Sequence, residues 1–194
     1  MGSGLGSTPM DISKPRDLID FWTAAGPKDW FRGDPAFDAA MRGRFEVTHL
    51  AASRGELEDW GRSGDGALAL VLLLDQAPRN IYRGSAHAFA TDALALAIAA
   101  RAIDAGFDQA APADLRVFFY LPFEHAEDGA AQRRSVALFE AHAARTGDSG
   151  YLRYAQVHAD VIARFGRFPH RNIVLGRATT SEEAAFLAGG GFRG

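Results

Sequence analysis

Eight apolar residues in a row, Ala67-Leu68-Ala69-Leu70-Val71-Leu72-Leu73-Leu74, constrain the fold of this chain more than any other feature. A helix built from them has no polar face, so other elements must enclose it. The run is far short of the roughly 20 residues that cross a bilayer, which assigns it to a protein core. Asp65 is its expected cap and Pro78 its expected end. Asp75 falls in line with Leu68, Val71 and Leu72 at helical spacing, so its carboxylate points inward. A buried charge needs a partner. The candidates are Arg79, Arg83 and the arginines near the C-terminus.

The rest of the chain reads as helices between clear punctuation. Ser13-Lys14-Pro15 starts a helix that stops at Gly26-Pro27, and Asp34-Pro35 starts another that runs to Arg54, with Gly55 beyond it. A short turn at 56–60 follows. Ser85 or Thr91 opens an alanine-rich helix to about Ala105. Pro112 precedes a helix to about Asp128, in which Pro122 makes a kink or begins a new turn. Ala130 to Thr146 follows, with Val136, Leu138, Phe139 and Ala143 as its inner side. Tyr151, Tyr154, Ala155, His158, Val161, Ile162 and Phe165 form one stripe. Thr180 and Glu183 make a capping box for a last short helix. No segment alternates with strand periodicity, so the expected class is all-α with about eight or nine helices. Short connections imply antiparallel helical hairpins. No repeat of about 34 residues is visible. Residues 1–10 read as a tag or disordered lead, and 11–194 as a single all-helical domain.

Between the last two helices lies an unusually basic bend, Arg164-Phe165-Gly166-Arg167-Phe168-Pro169-His170-Arg171-Asn172-Ile173-Val174-Leu175-Gly176-Arg177. It holds four arginines and no acid. Lys and Arg total 21, yet only Lys14 and Lys28 are lysines, so the basic chemistry is that of guanidinium forks. The net charge of -3 disfavours a nucleic-acid role. With no cysteine there are no disulfides, thiolate metal sites or thiol nucleophiles, which suits a cytoplasmic protein. The start of the chain lacks the pattern of a signal peptide, and no membrane role is expected.

Three motifs together resemble a bacterial family known as domain of unknown function 924. They are Leu74-Asp75-Gln76-Ala77-Pro78-Arg79-Asn80-Ile81-Tyr82-Arg83-Gly84, Tyr120-Leu121-Pro122-Phe123-Glu124-His125-Ala126-Glu127, and the bend from Arg164 to Arg177. The resemblance runs from about Asp17 to Leu187. It implies stacked helical hairpins like those of tetratricopeptide repeats, and it brings no activity. The second motif of the family has serine where this chain has Ala126, which argues against a required hydroxyl nucleophile there.

Three constellations are candidates for function. Arg167, Arg171 and Arg177, with Arg79, Asn80 and Asn172, could clamp a carboxylate or phosphate. The same arginines could instead brace the fold by pairing with Asp75, Asp92, Glu124 and Glu127. His125 and His170 with Asp75 could move protons as catalytic groups, while Glu124, Glu127 and His158 read as structural polar residues. Glu124 and Glu127 would share a helix face. No compact metal-ligand spacing is present, and no cofactor is implied. Trp22, Trp30, Phe31 and Trp60 are candidate anchors for a protein or peptide partner, or core residues. The residues thus leave two roles open: a binding or scaffold protein with an Arg/His/Asp pocket, or a small hydrolase or transferase acting on a phosphorylated or anionic molecule.

Overall fold

The computed structural model describes residues 12–194; the lead at 1–10 lies outside them. The described chain is helical, with no strand among the described residues. Helix α1 (Pro15–Ala25) leads through α2 (Pro27–Trp30) to the long α3 (Pro35–Ser53). Asp17, not Ser13, serves the start of α1, accepting the Lys14 amide at 2.9 Å. The Ser13 amide is drawn instead to the Thr48 hydroxyl on α3. Asp34 caps α3 as its position predicts, accepting from Ala36 and Phe37. Trp22 and Trp30 are core residues whose rings stack 6.3 Å apart, and the Trp30 indole donates to the Trp22 carbonyl.

The apolar run is the central rod. Helix α4 (Gly64–Val71) continues through a π-helical turn at Leu72–Gln76 into α5 (Ala77–Ile81), with α1, α3 and α6 (Asp92–Asp104) packed around it. Ser63 rather than Asp65 is its cap, accepting the Gly66 amide. A Cβ at Gly66 would lie 2.1 Å from the Trp60 carbonyl oxygen, so only glycine fits that approach. Pro78 does not end the rod as expected, because the π turn absorbs it. Residue 78 would ordinarily offer its amide to Leu74 or, in π register, to Leu73, and proline has none. Side chains meet both carbonyls: His49 Nδ1–H donates to Leu73 and the Thr91 hydroxyl to Leu74. Left unmet, each would cost about 1–3 kcal/mol.

The region after Pro112 also departs from one long helix. It divides into α8 (Ala113–Arg116), a 3-10 turn at Val117–Phe119 and α9 (Leu121–Glu124), following the short α7 (Phe107–Ala110). Val117, Phe118, Phe119 and Tyr120 are all buried, which a one-sided helix does not allow. Pro122 starts a new turn rather than continuing the old one. Helix α10 (Gly129–Thr146) packs against α11 (Gly150–Phe165) as a hairpin, and α12 (Ser181–Ala188) closes over the bend. The inner face of α10 is Gln132, Ser135, Phe139 and His142; Val136 and Leu138 are only half-buried, so the helix is rotated from the expected face. The Thr180–Glu183 capping box forms as read.

By length and composition, Ala86–Asp104 is the one run among the described residues that could cross a membrane, with a mean hydropathy of 1.3. It is split between a 3-10 turn and α6. The buried residues of α6, Ala95, Ile98, Ala99 and Ala102, face the domain, where α6 packs on α4, and Asp92 in the same run is ion-paired.

Candidate functional site

The π turn, α5, α9, α11 and the bend meet at one cavity of about 850 Å³. Its floor is polar. Asp75 is fully buried beneath it and accepts a hydrogen bond of 2.7 Å from His125 Nδ1–H. Arg79 lies 3.3 Å from the same carboxylate oxygen and forks onto Asp92 at 2.9 and 3.1 Å. Arg171 reaches Asp92 from the other side at 3.2 Å, its guanidinium held between the rings of Phe89 and Phe168, each 4.5 Å away. Two guanidinium groups and two carboxylates therefore balance. Arg171 Nε is buried without a partner.

Behind His125 stands a second acid–imidazole contact. His158 Nδ1–H donates to the Tyr154 carbonyl at 2.8 Å and lies 3.2 Å from Glu124 Oε1. The two imidazole rings are 6.2 Å apart. Glu124 Oε2 and His170 Nδ1 are buried and unpartnered. Phe192 covers His158 at 4.3 Å and His170 at 5.4 Å, completing one wall.

These surroundings set the protonation states. Burial opposes ionisation of Asp75, but Arg79 and His125 outweigh it and hold its carboxyl down at about 2. Burial and nearby Asp75 push the Glu124 carboxyl up to about 8, so it carries a proton at neutrality. Burial, with Arg79 next, lowers His125. Burial takes His158 down to about 3, helped by His125, and His170 down to about 4, helped by Arg171. At about pH 7 the floor then holds neutral imidazoles, a neutral Glu124 and an ionised Asp75. With Nδ1–H given to Asp75, His125 keeps its Nε2 lone pair for the cavity it lines. Asp75, behind, fixes the ring and would stabilise its protonated form, the logic of a carboxylate-oriented base.

Residues 18–191 match the model of a family described as bacterial protein of unknown function (DUF924). The chain belongs to that family. It is also similar to a solved protein of unknown function from Agrobacterium tumefaciens, with 51% identity over 89% of this chain and 96% of the other, at a TM-score of 0.84. No curated protein matches this chain.

In this DUF924 protein, the residues singled out from sequence divide into two sets. Arg79, Asn80, Glu124, His125, His158, His170 and Arg171 line the cavity, with Asp75 directly behind His125. Arg167, Asn172, Arg177 and Glu127 lie outside it. Arg167 forks onto Glu183 at 2.6 and 2.9 Å, and Asn172 donates to the same carboxylate. Arg177 forks onto Glu127 at 2.6 and 3.0 Å, and Glu127 also accepts the Phe168 amide. Glu124 and Glu127 do not share a helix face, because α9 ends at Glu124. Arg83 pairs with Asp38 rather than Asp75. Tyr151 and Tyr154 were legible only as part of an inner stripe, yet they line the cavity, and Tyr154 is 61% exposed. Gln76 also lines it and donates to Asp75; its place in the first motif was the only signal. Among the described residues, no three His, Asp or Glu side chains cluster so as to hold a metal ion.

Proposed function

We propose that the cavity is an active site for acid–base chemistry, hydrolysis or group transfer, on a small anionic molecule. The observation that carries this reading is the Asp75–His125 pair, a buried carboxylate bonded to an imidazole at the floor of a concave cavity. His125 Nε2 would take a proton from water or an acceptor hydroxyl as its oxygen bonds to the electrophilic centre. The bond to the leaving oxygen breaks, and the Glu124 proton goes to that oxygen. Arg171, with unsatisfied donor capacity, and Asn80 would hold the negative charge. A cytoplasmic setting is part of this proposal, and the absence of cysteine is compatible with it.

A panel of phosphate monoesters and carboxylic esters, assayed with the parent and with His125→Asn, tests this. Loss of a positioned base lowers turnover by about 10²–10⁴-fold. Equal turnover by parent and variant refutes the catalytic role. Binding without turnover is the second reading, favoured by the mutual neutralisation of Arg79, Arg171, Asp75 and Asp92, which gives a preformed site without excess charge.

A further inference from the structure

Of the large hydrophobic side chains that stand exposed among the described residues, Ile12, Leu50, Val157 and Ile173 do not line this cavity, while the two aromatics, Phe31 and Tyr154, both do. Phe31 is 57% exposed but held in place, stacked over Phe118 at 6.2 Å and meeting Tyr151 edge-on at 6.4 Å. Tyr154 lies one helical turn beyond Tyr151 on α11 and so presents its ring on the same face. A fixed aromatic corner left open to solvent is a poor bargain for folding alone, and it sits on the same cavity as Arg171. Arg171 is 6% exposed, makes a single ion pair and leaves Nε unpartnered. A buried donor of this kind is satisfied by an incoming acceptor.

We infer that the cavity selects an aromatic anion: a flat ring packed against Phe31, Tyr151 and Tyr154, with a carboxylate or phosphate head at Arg171. The inference rests on the proposed site and names its substrate class. Rings prefer edge-to-face or offset contact with other rings, and Phe31 with Tyr151 already forms half of such a cluster. The volume of about 850 Å³ admits a molecule well beyond the size of inorganic phosphate.

The test is equilibrium binding, read by calorimetry on the whole chain. The probes are benzoate, phenyl phosphate, cyclohexanecarboxylate, benzyl alcohol, acetate and inorganic phosphate. Benzoate or phenyl phosphate should bind at least roughly tenfold tighter than the headless alcohol, the ringless anions and the saturated ring. Which of the two binds tighter identifies the head. Replacing both Phe31 and Tyr154 with alanine changes exposed side chains and should keep the fold. It should weaken the aromatic anions by roughly tenfold and leave inorganic phosphate unchanged. Arg171→Lys, checked for folding, should lower the preference for the anion over benzyl alcohol, because an ammonium cannot fork onto the head. Equal affinity for phosphate and phenyl phosphate, tighter binding of cyclohexanecarboxylate, no measurable binding of either aromatic anion, or an unaffected double variant each overturns the inference. Benzoate has no bond for the proposed chemistry to cleave, and phenyl phosphate is titrated into His125→Asn as well as the parent, so binding is read apart from turnover; a His125→Asn variant as active as the parent would sink the catalytic reading and leave the benzoate result standing.

Discussion

Arg167 and Arg171 stand four residues apart in one bend, and the fold uses them in opposite ways. Arg167 is held by both oxygens of Glu183, and that pairing raises its affinity for its proton. Arg171 is buried, with Arg79 nearby, and these push its guanidinium down to about 10 despite Asp92. Around Arg167 and Arg177 lies a brace whose two carboxylates, Glu183 and Glu127, are bonded through both oxygens. Around Arg171 lies a floor with three histidines, a carboxyl that keeps its proton, and buried atoms without partners. The brace has unmet atoms of its own, Arg177 Nε and Asn172 Oδ1, and a depressed Glu183; what sets the floor apart is that Glu124, His170 and Arg171, each with an unpartnered atom, line a cavity.

The comparison breaks most visibly at Asp75. Replacing Asp75 with alanine leaves the guanidinium groups of Arg79 and Arg171 to share the one carboxylate of Asp92 and should cost about 3–5 kcal/mol in denaturant unfolding. A change below about 1 kcal/mol would show that the floor is not buried as described. Thr91→Val tests the support beneath the floor. It leaves the Leu74 carbonyl unmet and should cost about 1–3 kcal/mol, again by denaturant unfolding. Arg177→Ala opens the brace, where both partners are partly solvated, and should cost about 1 kcal/mol. It should leave the affinity of anionic ligands unchanged, and weakened binding would merge the two regions into one.

The last effect is a slope rather than a single offset. The Glu124 carboxyl titrates at about 8 in the folded chain and near its ordinary value of 4.5 when unfolded. Between those pH values the folded state holds the extra proton, so this group lowers stability as pH rises. Glu124→Gln should remove that decline, and the difference between parent and variant should therefore grow from pH 4.5 to 8 in unfolding measured across that window. Parallel curves would mean that Glu124 is already ionised. Glu183 runs the other way: Arg167 and the Thr180 amide depress it to about 2, so its contribution is whole above 4.5 and fades as pH falls toward 2.

Much of this was legible in the chain. The all-helical class followed from the lack of alternation, and the inward carboxylate of Asp75 from its place on an apolar face. The capping box at Thr180 and Glu183 was readable because it is local. What escaped reading depended on contacts distant in sequence. The π turn persists because His49 and Thr91, from other helices, meet the carbonyls that Pro78 abandons. The break in residues 113–124 follows from four consecutive residues finding burial on different sides. Spacing could not divide the arginines of the bend, since the partners of Arg171 and Arg177 come from Asp92 and Glu127, far back in the chain. Tyr151 and Tyr154 shared a helical period with core residues, and period alone does not tell a cavity wall from a packed interior.

The central claim is that Asp75 fixes His125 as a neutral base with Nε2 open to the cavity. Nitrogen-resolved NMR of the histidine side chains at about pH 7 addresses it directly. The account predicts a neutral His125 carrying its proton on Nδ1, with the proton resonance shifted downfield by the bond to Asp75 and lost in Asp75→Asn. A His125 protonated on both nitrogens, or a neutral ring with its proton on Nε2, would contradict it.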